Sequence, residues 1–551
     1  MTTSSASRKP GRAQPSAGAR KTAPGSRNES RTGLSLRGRI SNAWNDLLSR
    51  PLTDYIMILF TVIALSCIGV VMVYSSSMTW SFSEVGSVWG TALRQAIMIV
   101  VGFAVMWIAL MIRPQLIRNL APALLWVSIG LLFLVKIPGI GTGREEVGSQ
   151  SWISLGPLSF QPSEIAKVAI AVWGAHYLAG RGPVQHWINN HYTRFALVGI
   201  FMAIMIFLEG DAGMAMSFVL VVLFMLFFAG IAVGWLMLAG VVLIAALAAL
   251  ALGGGFRSSR FNVYFDALFG NFHDTRGTAF QSYQGFLSLA DGSATGVGLG
   301  QSRAKWFYLP EAKNDFIFAI IGEELGLWGG ALVIGLFATL LYFGLRAAKR
   351  SHDPFLGLMA ATLTAAVVSQ AFINISYVVG LLPVTGIQLP MISAGGTSAV
   401  ITLASMGLLA SCARHEPEAV SAMASYGRPV VDRLLMLREP SSKLTVDNHR
   451  DRKTRGPRGA APSSAEKGRG GSRDRFGAPV TSRQKPRGGP ATSQAPTGSV
   501  RSREHSRSRE EPPRRGRTGS NPTGRSATGR GQTRRNDPRR GETGRDGRYR
   551  R

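Results

Sequence analysis

Residues 195–253 read FALVGIFMAIMIFLEGDAGMAMSFVLVVLFMLFFAGIAVGWLMLAGVVLIAALAALALG, an apolar run broken chiefly by Glu209-Gly210-Asp211. Such a run has no polar face to offer water. It fits a bilayer, where each crossing takes about 20 apolar residues. Hydropathy extends the pattern in both directions, and ten spans are expected near 55–76, 92–112, 119–137, 161–180, 194–209, 213–231, 233–253, 316–345, 355–379 and 393–412. The chain therefore reads as an all-α integral membrane protein with a large outer loop over 254–315.

Charge divides the 551 residues in the same way. Residues 1–53 hold 10 Lys and Arg against 2 acidic residues, 54–412 hold 17 against 15, and 413–551 hold 34 against 14. Almost all of the net +30 sits in two basic tails flanking a nearly neutral apolar block, which excludes a uniform soluble enzyme. The tails, rich in Arg, Gly, Ser and Pro, bury too little apolar surface to fold alone and are expected to be disordered. Their Arg-Gly stretches lack interleaved aromatics, so no nucleic acid is expected, and an anionic lipid surface or an acidic partner suits them better. Cys67 and Cys412 are far apart in sequence and the eight histidines show no ligand spacing, so no disulfide framework or metal cage is expected.

Ten crossings place both termini on one side. Arg113, Arg118, Arg181, Arg194, Arg346, Lys349 and Arg350 fall in the connections of that side, which makes it cytoplasmic by the positive-inside rule. The loops richest in polar chemistry then open on the outer face.

Four stretches carry that chemistry. Gln161-Pro162-Ser163-Glu164-Ile165-Ala166-Lys167 opens the fourth span, and Glu164 and Lys167 share a helix face; a structural ion pair accounts for them as well as a substrate pathway does. Trp152, in the loop before it, suits an interfacial anchor or a sugar-stacking platform. Glu209 and Asp211 make a two-acid turn for which a helix cap is the simplest account. The loop 254–315 gathers Arg257, Arg260, Gln281, Lys305 and Glu311 beside glycines 292, 296, 298 and 300, a combination suited to a diphosphate. Asp315 stands where that loop becomes a helix. It is either an N-cap or a carboxylate poised to take a proton from a sugar hydroxyl. Glu323 and Glu324 lie eight and nine residues on, about 12 Å deeper along a continuous helix, where pairing or a polar cavity is required.

Taken together the motifs are familiar. Gln161-Pro162-Ser163-Glu164 precedes Gly296-Val297-Gly298-Leu299-Gly300-Gln301-Ser302, then Lys305, Tyr308-Leu309-Pro310-Glu311, Asp315-Phe316-Ile317-Phe318-Ala319 and Gly322-Glu323-Glu324-Leu325-Gly326. Gly380-Leu381-Leu382-Pro383-Val384-Thr385-Gly386 and Pro390-Met391-Ile392-Ser393-Ala394-Gly395-Gly396 follow. Over roughly 54–412 the chain resembles the SEDS family (shape, elongation, division and sporulation), and its long basic tails look more like the division branch than the elongation branch.

The resemblance implies a peptidoglycan glycosyltransferase that polymerises lipid II at the outer face of the cytoplasmic membrane, at the septum. It maps the family's essential acid to Asp315 and assigns substrate-binding roles to Trp152, Glu164, Lys167, Lys305 and Ser393, beside Arg257, Arg260, Gln281 and Glu311 of the outer loop. No tightly bound cofactor is implied; a Mg or Mn ion on the diphosphate is compatible. The implied partners are a class B penicillin-binding transpeptidase of the FtsI type, other division proteins met through the C-terminal tail, and membrane lipids. The sequence departs from the family pattern at Lys313-Asn314 before Asp315, at Gly210-Asp211-Ala212-Gly213-Met214 and at Phe280-Gln281. A lipid II flippase and a division scaffold acting through its tails are the alternatives.

Overall fold

The computed structural model describes residues 36–143, 149–156, 158–181, 190–252, 256–269, 279–306, 309 and 311–440. In chain order the helices are α1 (Leu36–Ser49), α2 (Thr53–Val85), α3 (Gly90–Met111) and α4 (Pro114–Leu134). A three-stranded antiparallel sheet follows, with β1 (Gly141–Thr142), β2 (Trp152–Leu155) and β3 (Leu158–Phe160) in that order. Then come α5 (Pro162–Leu178), α6 (His191–Phe207), α7 (Ala212–Phe228), α8 (Val233–Leu252), α9 (Phe256–Leu268) and α10 (Phe280–Gly292). The chain continues through α11 (Ile317–Arg350), α12 (Pro354–Val378), α13 (Gly396–Arg414), α14 (Pro417–Tyr426) and α15 (Val430–Leu434).

Each of the ten predicted spans falls on a helix. Six of them, α2, α3, α4, α11, α12 and α13, are long and apolar enough to cross a membrane, while α6, α7 and the stretch Val233–Ala246 of α8 are shorter and apolar. The helix starts are written locally. Pro114, Pro162 and Pro354 occupy first turns, where a missing N–H costs nothing. Asn190 accepts from Thr193 N at 2.8 Å, and Asp353 from Phe355 N at 3.0 Å. The bundle is apolar outside as well as within: Val100, Trp126, Trp328 and Phe372 are exposed, the pattern of a lipid-facing surface. Cys67 and Cys412 are both free.

Three features differ from the sequence expectation. First, α11 is broken at Gly326, whose φ of 67° and ψ of −162° are open to glycine and strained for other residues. Residues 317–325 form a short helix ahead of the break, and 327–350 still reach about 36 Å, enough to cross. Glu323 and Glu324 thus precede the crossing rather than lying deep inside it. Second, the outer loop carries two helices, α9 and α10. Third, the tails are ordered near the bundle. α1 lies within the stretch expected to be disordered, and the ordered region runs past 413 through α14 and α15. Asp432 explains the second case: it accepts from Tyr55 Oη at 2.8 Å and from Arg414 Nε at 2.7 Å, pinning α15 to the ends of α2 and α13. Residues 441–551 lie outside the described residues.

Candidate functional site

One end of the bundle gathers the connections that the sequence singled out. Gln161 Nε2 donates to Asp211 Oδ2 at 2.9 Å, while Asp211 Oδ1 accepts from Met214 N at 2.9 Å. Asp211 is therefore the N-cap of α7, the simplest account of its place in the turn, and also a tie to Gln161 at the head of α5. The small sheet is pinned alongside, with Gln150 N donating to Glu209 O at 2.9 Å and Thr397 Oγ1 to Ser159 O at 2.7 Å. Trp152 stands half-buried on β2 of that sheet.

Asp315 is not the cap of α11. That position is Phe316, with no side-chain hydrogen bond, and the Asp315 carboxylate accepts no hydrogen bond among the described residues. Its main chain, by contrast, is held from below. Asn374 Nδ2 donates to Asp315 O at 2.9 Å and to Ile387 O at 2.7 Å, and the Tyr377 hydroxyl lies 2.9 and 2.8 Å from the same two carbonyls. Ser393 Oγ donates to Asn314 O at 2.7 Å and accepts from Leu389 N at 2.8 Å, and Ala394 N donates to Lys313 O at 2.9 Å. The loop 380–395 and the head of α11 are thus one hydrogen-bonded unit with Asp315 at its edge.

Across from the carboxylate is Arg260 of α9. A Cβ placed on Gly386, where φ is +75°, would stand 3.6 Å from Asp315 Oδ2 and 3.8 Å from Arg260 Nη1, so the two charges face one gap kept open by a glycine. Arg260 Nη1 also donates to Val384 O at 3.4 Å. Part of the Asp315 side chain is open, yet protein packs around it on most sides. That burial pushes its carboxyl up to about 7; the nearby Glu311 charge raises it too, against the opposing pull of Arg260. Glu311 is exposed, with φ at 56°, and its carboxylate accepts from Asn314 Nδ2 at 2.5 Å. Gln281 lies on α10 one turn before Gly285, which packs on the Phe316 ring, and so shares the helix face turned toward α11.

Two other predicted groups are ion-paired. Glu164 Oε2 and Lys167 Nζ pair at 3.0 Å, and Lys167 also donates to Gln370 Oε1 at 2.6 Å, inside a small cavity that Thr402 and Ser405 help to line. Lys305, 1% exposed, sits 3.6 Å from Glu324 Oε1 and donates to Gly300 O. Ser75 Oγ donates to Glu324 at 2.6 Å, Ser302 Oγ to Glu323 at 2.7 Å and Arg303 N to Glu323 at 2.6 Å. Glu323 and Glu324 thus bind the glycine-rich loop to α11. The side chain of Arg257 lies outside the described residues. Among the described residues no three His, Cys, Asp or Glu side chains gather as a metal site.

Sequence reasoning missed Asn374 and Tyr377. They were findable: Gln370, Asn374 and Tyr377 recur at i, i+4 and i+7 inside an apolar span, and polar residues at such depth need partners.

The geometry defines a polytopic helical protein with a half-buried carboxylate, Asp315, facing a gap at the end of its bundle, and comparison with known proteins gives the family. Residues 55–418 match the family described as "Cell cycle protein" (FtsW/RodA/SpoVE), and the chain belongs to it. A Mycobacterium tuberculosis protein named "Probable peptidoglycan glycosyltransferase FtsW" is 39% identical over 427 residues, covering 77% of this chain and 80% of its own. "Stage V sporulation protein E" of Bacillus subtilis is 34% identical over 365 residues, covering 66% and 97%. A solved structure described as "Structural coordination of polymerization and crosslinking by a peptidoglycan synthase complex" shares the fold, with a TM-score of 0.53, 24% identity and coverage of 65% of this chain and 97% of that one.

Proposed function

We propose that this protein is a peptidoglycan glycosyltransferase that polymerises lipid II at the outer face of the cytoplasmic membrane during septal wall synthesis. The observation that carries the reading is Asp315, an unbonded carboxylate in a recess, its main chain clasped by Asn374 and Tyr377 and its charge faced by Arg260. A carboxyl raised to about 7 is ionised in good part at neutral pH and basic enough to accept a proton. Asp315 takes the proton of the acceptor sugar hydroxyl as that oxygen bonds to the anomeric carbon of the donor. The bond from that carbon to the diphosphate oxygen breaks, and undecaprenyl diphosphate leaves with its electron pair. Arg260 is the described cation best placed to balance the leaving group's charge. Lys305, locked to Glu324, supports the loop instead, and Ser393, whose one proton goes to Asn314 O, supports the head of α11.

A Mg or Mn ion carried on the substrate diphosphate is compatible with this reaction and would help to balance the leaving group's charge. Trp152, Glu164, Lys167, Gln281 and Glu311 are proposed to bind the substrate head group. A class B penicillin-binding transpeptidase is proposed as the partner that crosslinks the product, with the basic C-terminal tail meeting other division proteins.

The test is polymerisation of labelled lipid II by the purified chain with its cognate transpeptidase. Glycan strands are expected from the wild type and none from Asp315→Asn. Translocation of lipid II without strands would replace the reading with a flippase. Full septal function in cells carrying Asp315→Asn, with loss on deleting 441–551, would replace it with a scaffold.

A further inference from the structure

A second recess lies apart from Asp315. About 450 Å³ in volume, it is bounded by Gln284, Leu287, Ser288 and Asp291 of α10, by Arg303, Ala304 and Trp306 of the glycine-rich loop, and by Glu323 as its floor. The α10 residues recur at i, i+3, i+4 and i+7, so one helix face is given over to this wall. The adjoining face, through Gly285 and Gly292, packs on Phe316 and on Gly322 of α11. Glu323 lies six residues into α11, about 9 Å along the helix from Ile317, so the recess is set apart from the proposed catalytic carboxylate at the helix head. It precedes the Gly326 break, and Leu327 and Trp328, both largely exposed, mark where the lipid-facing surface begins just beyond it.

The lining has a definite chemistry. Trp306 is 58% exposed, an indole surface left open at the rim. Asp291 and Arg303 are also exposed, and Arg303 has no ion pair among the described residues. Glu323 already accepts from Ser302 and Arg303 N, which fixes the floor. A diphosphate would meet the Asp291 and Glu323 carboxylates and be repelled, and an apolar ligand would leave Arg303, Gln284 and Asp291 without partners. A neutral polyol satisfies all of them. Its hydroxyls donate to Asp291, its oxygens accept from Arg303 and Gln284, and its C–H face lies on the indole. The volume is that of an ordinary ligand pocket.

We propose that the recess bounded by α10 and Trp306 is an accessory carbohydrate subsite that holds sugar units of the glycan strand away from the reacting centre. The assignment rests on the glycosyltransferase reading above, since it is that reaction which supplies a strand to hold.

The test is calorimetric titration of the full chain in nanodiscs with a soluble tetramer of β-1,4-linked N-acetylglucosamine, alongside the lipid II assay. The wild type is expected to bind. Trp306→Ala should weaken binding about tenfold or more, equivalent to about 1.4 kcal/mol. Gln284→Ala should weaken it too, Trp306→Phe should stay within about threefold because it keeps a stacking face, and Asp315→Asn should bind as the wild type does. Strands made by Trp306→Ala should be shorter. No binding by the wild type would overturn the proposal, as would wild-type affinity in both Trp306→Ala and Gln284→Ala. Displacement of the tetramer by inorganic pyrophosphate, or loss of binding in Asp315→Asn alone, would also overturn it. Binding that follows Trp306 in a protein that makes no strands would uphold the subsite and sink only the proposed reaction.

Discussion

Two carboxylates at the head of α11 live under opposite conditions. Glu324 is 1% exposed and fully matched, by Lys305 at 3.6 Å, Ser75 Oγ at 2.6 Å and Ser302 N at 3.4 Å. Asp315, nine residues earlier, is half-buried but accepts no hydrogen bond among the described residues, and the cation it faces stands across a gap. A charge built for stability is surrounded until its lone pairs are used. One built for chemistry keeps its valence free, and the price is desolvation. The difference distinguishes the knot that shapes the loop from the group that can act.

The contrast breaks first at Asp315. Asp315→Asn should lower the polymerisation rate by about 10²–10⁴-fold, the usual range for a lost general base. The wild-type rate should climb as pH rises through about 7, since the acting form is the carboxylate. The stability sign is opposite. Between about 4 and about 7 the folded carboxyl keeps a proton that the unfolded one has released, so stability falls as pH rises through that window. Asp315→Asn should therefore melt higher than the wild type at pH 8, and a lower melting point would refute the strained-carboxylate account.

Glu324→Ala should do the reverse, costing about 3–5 kcal/mol by stranding the Lys305 ammonium. Thermal melting in detergent reads this, and the double variant Glu324→Leu with Lys305→Met should recover much of the loss. A full-strength Glu324→Ala protein would mean that the knot contributes little. Gly386→Ala tests the gap between Asp315 and Arg260. A methyl group there, on a backbone at φ +75°, should cut activity about tenfold and cost about 1 kcal/mol of stability. Unchanged turnover would show that the gap does not admit the reacting groups.

Glu209 is the smallest case. It is 4% exposed and neither carboxyl oxygen has a hydrogen-bond partner, and burial pushes it up to about 8. It resembles Asp315 in accepting no hydrogen bond but sits in the α6–α7 turn, where burial outweighs the opposing pull of the Lys136 charge. Its folded form holds a proton from about 4.5 to about 8 that the unfolded form loses, so stability falls across that window as pH rises. Glu209→Gln should flatten that decline, leave activity near wild type, and raise the melting point by about 2 °C above pH 8.

Much of this molecule was legible in its residues. The apolar runs located every long helix of the bundle, because a lipid environment requires the backbone to satisfy itself within each crossing. Glu164 and Lys167 paired as their three-residue spacing implied, since that spacing alone brings side chains together on a helix. The break at Gly326 was not legible. A glycine inside an apolar helix pattern is ordinarily tolerated, and it is the backbone bonds from Val297 N to Glu323 O, from Gly298 N to Glu324 O and from Leu327 N to Ser293 O that show why the helix opens there. Nor were α14 and α15 visible as ordered structure, because their anchor is Asp432 meeting Tyr55 from 377 residues away.

By itself, then, the sequence determined the solvent of each segment and the pairings within a helical turn, for those follow from local pattern. Tertiary structure decided which charges were neutralised. Lys305 and Arg260 both stand in the outer loop and are equally basic on paper. One is locked against Glu324 while the other faces Asp315, because the glycine-rich loop folds back on α11 and α9 reaches the loop 380–392. The strength of a charge in a protein depends on its neighbours and on its access to water, and distant parts of the chain supply both.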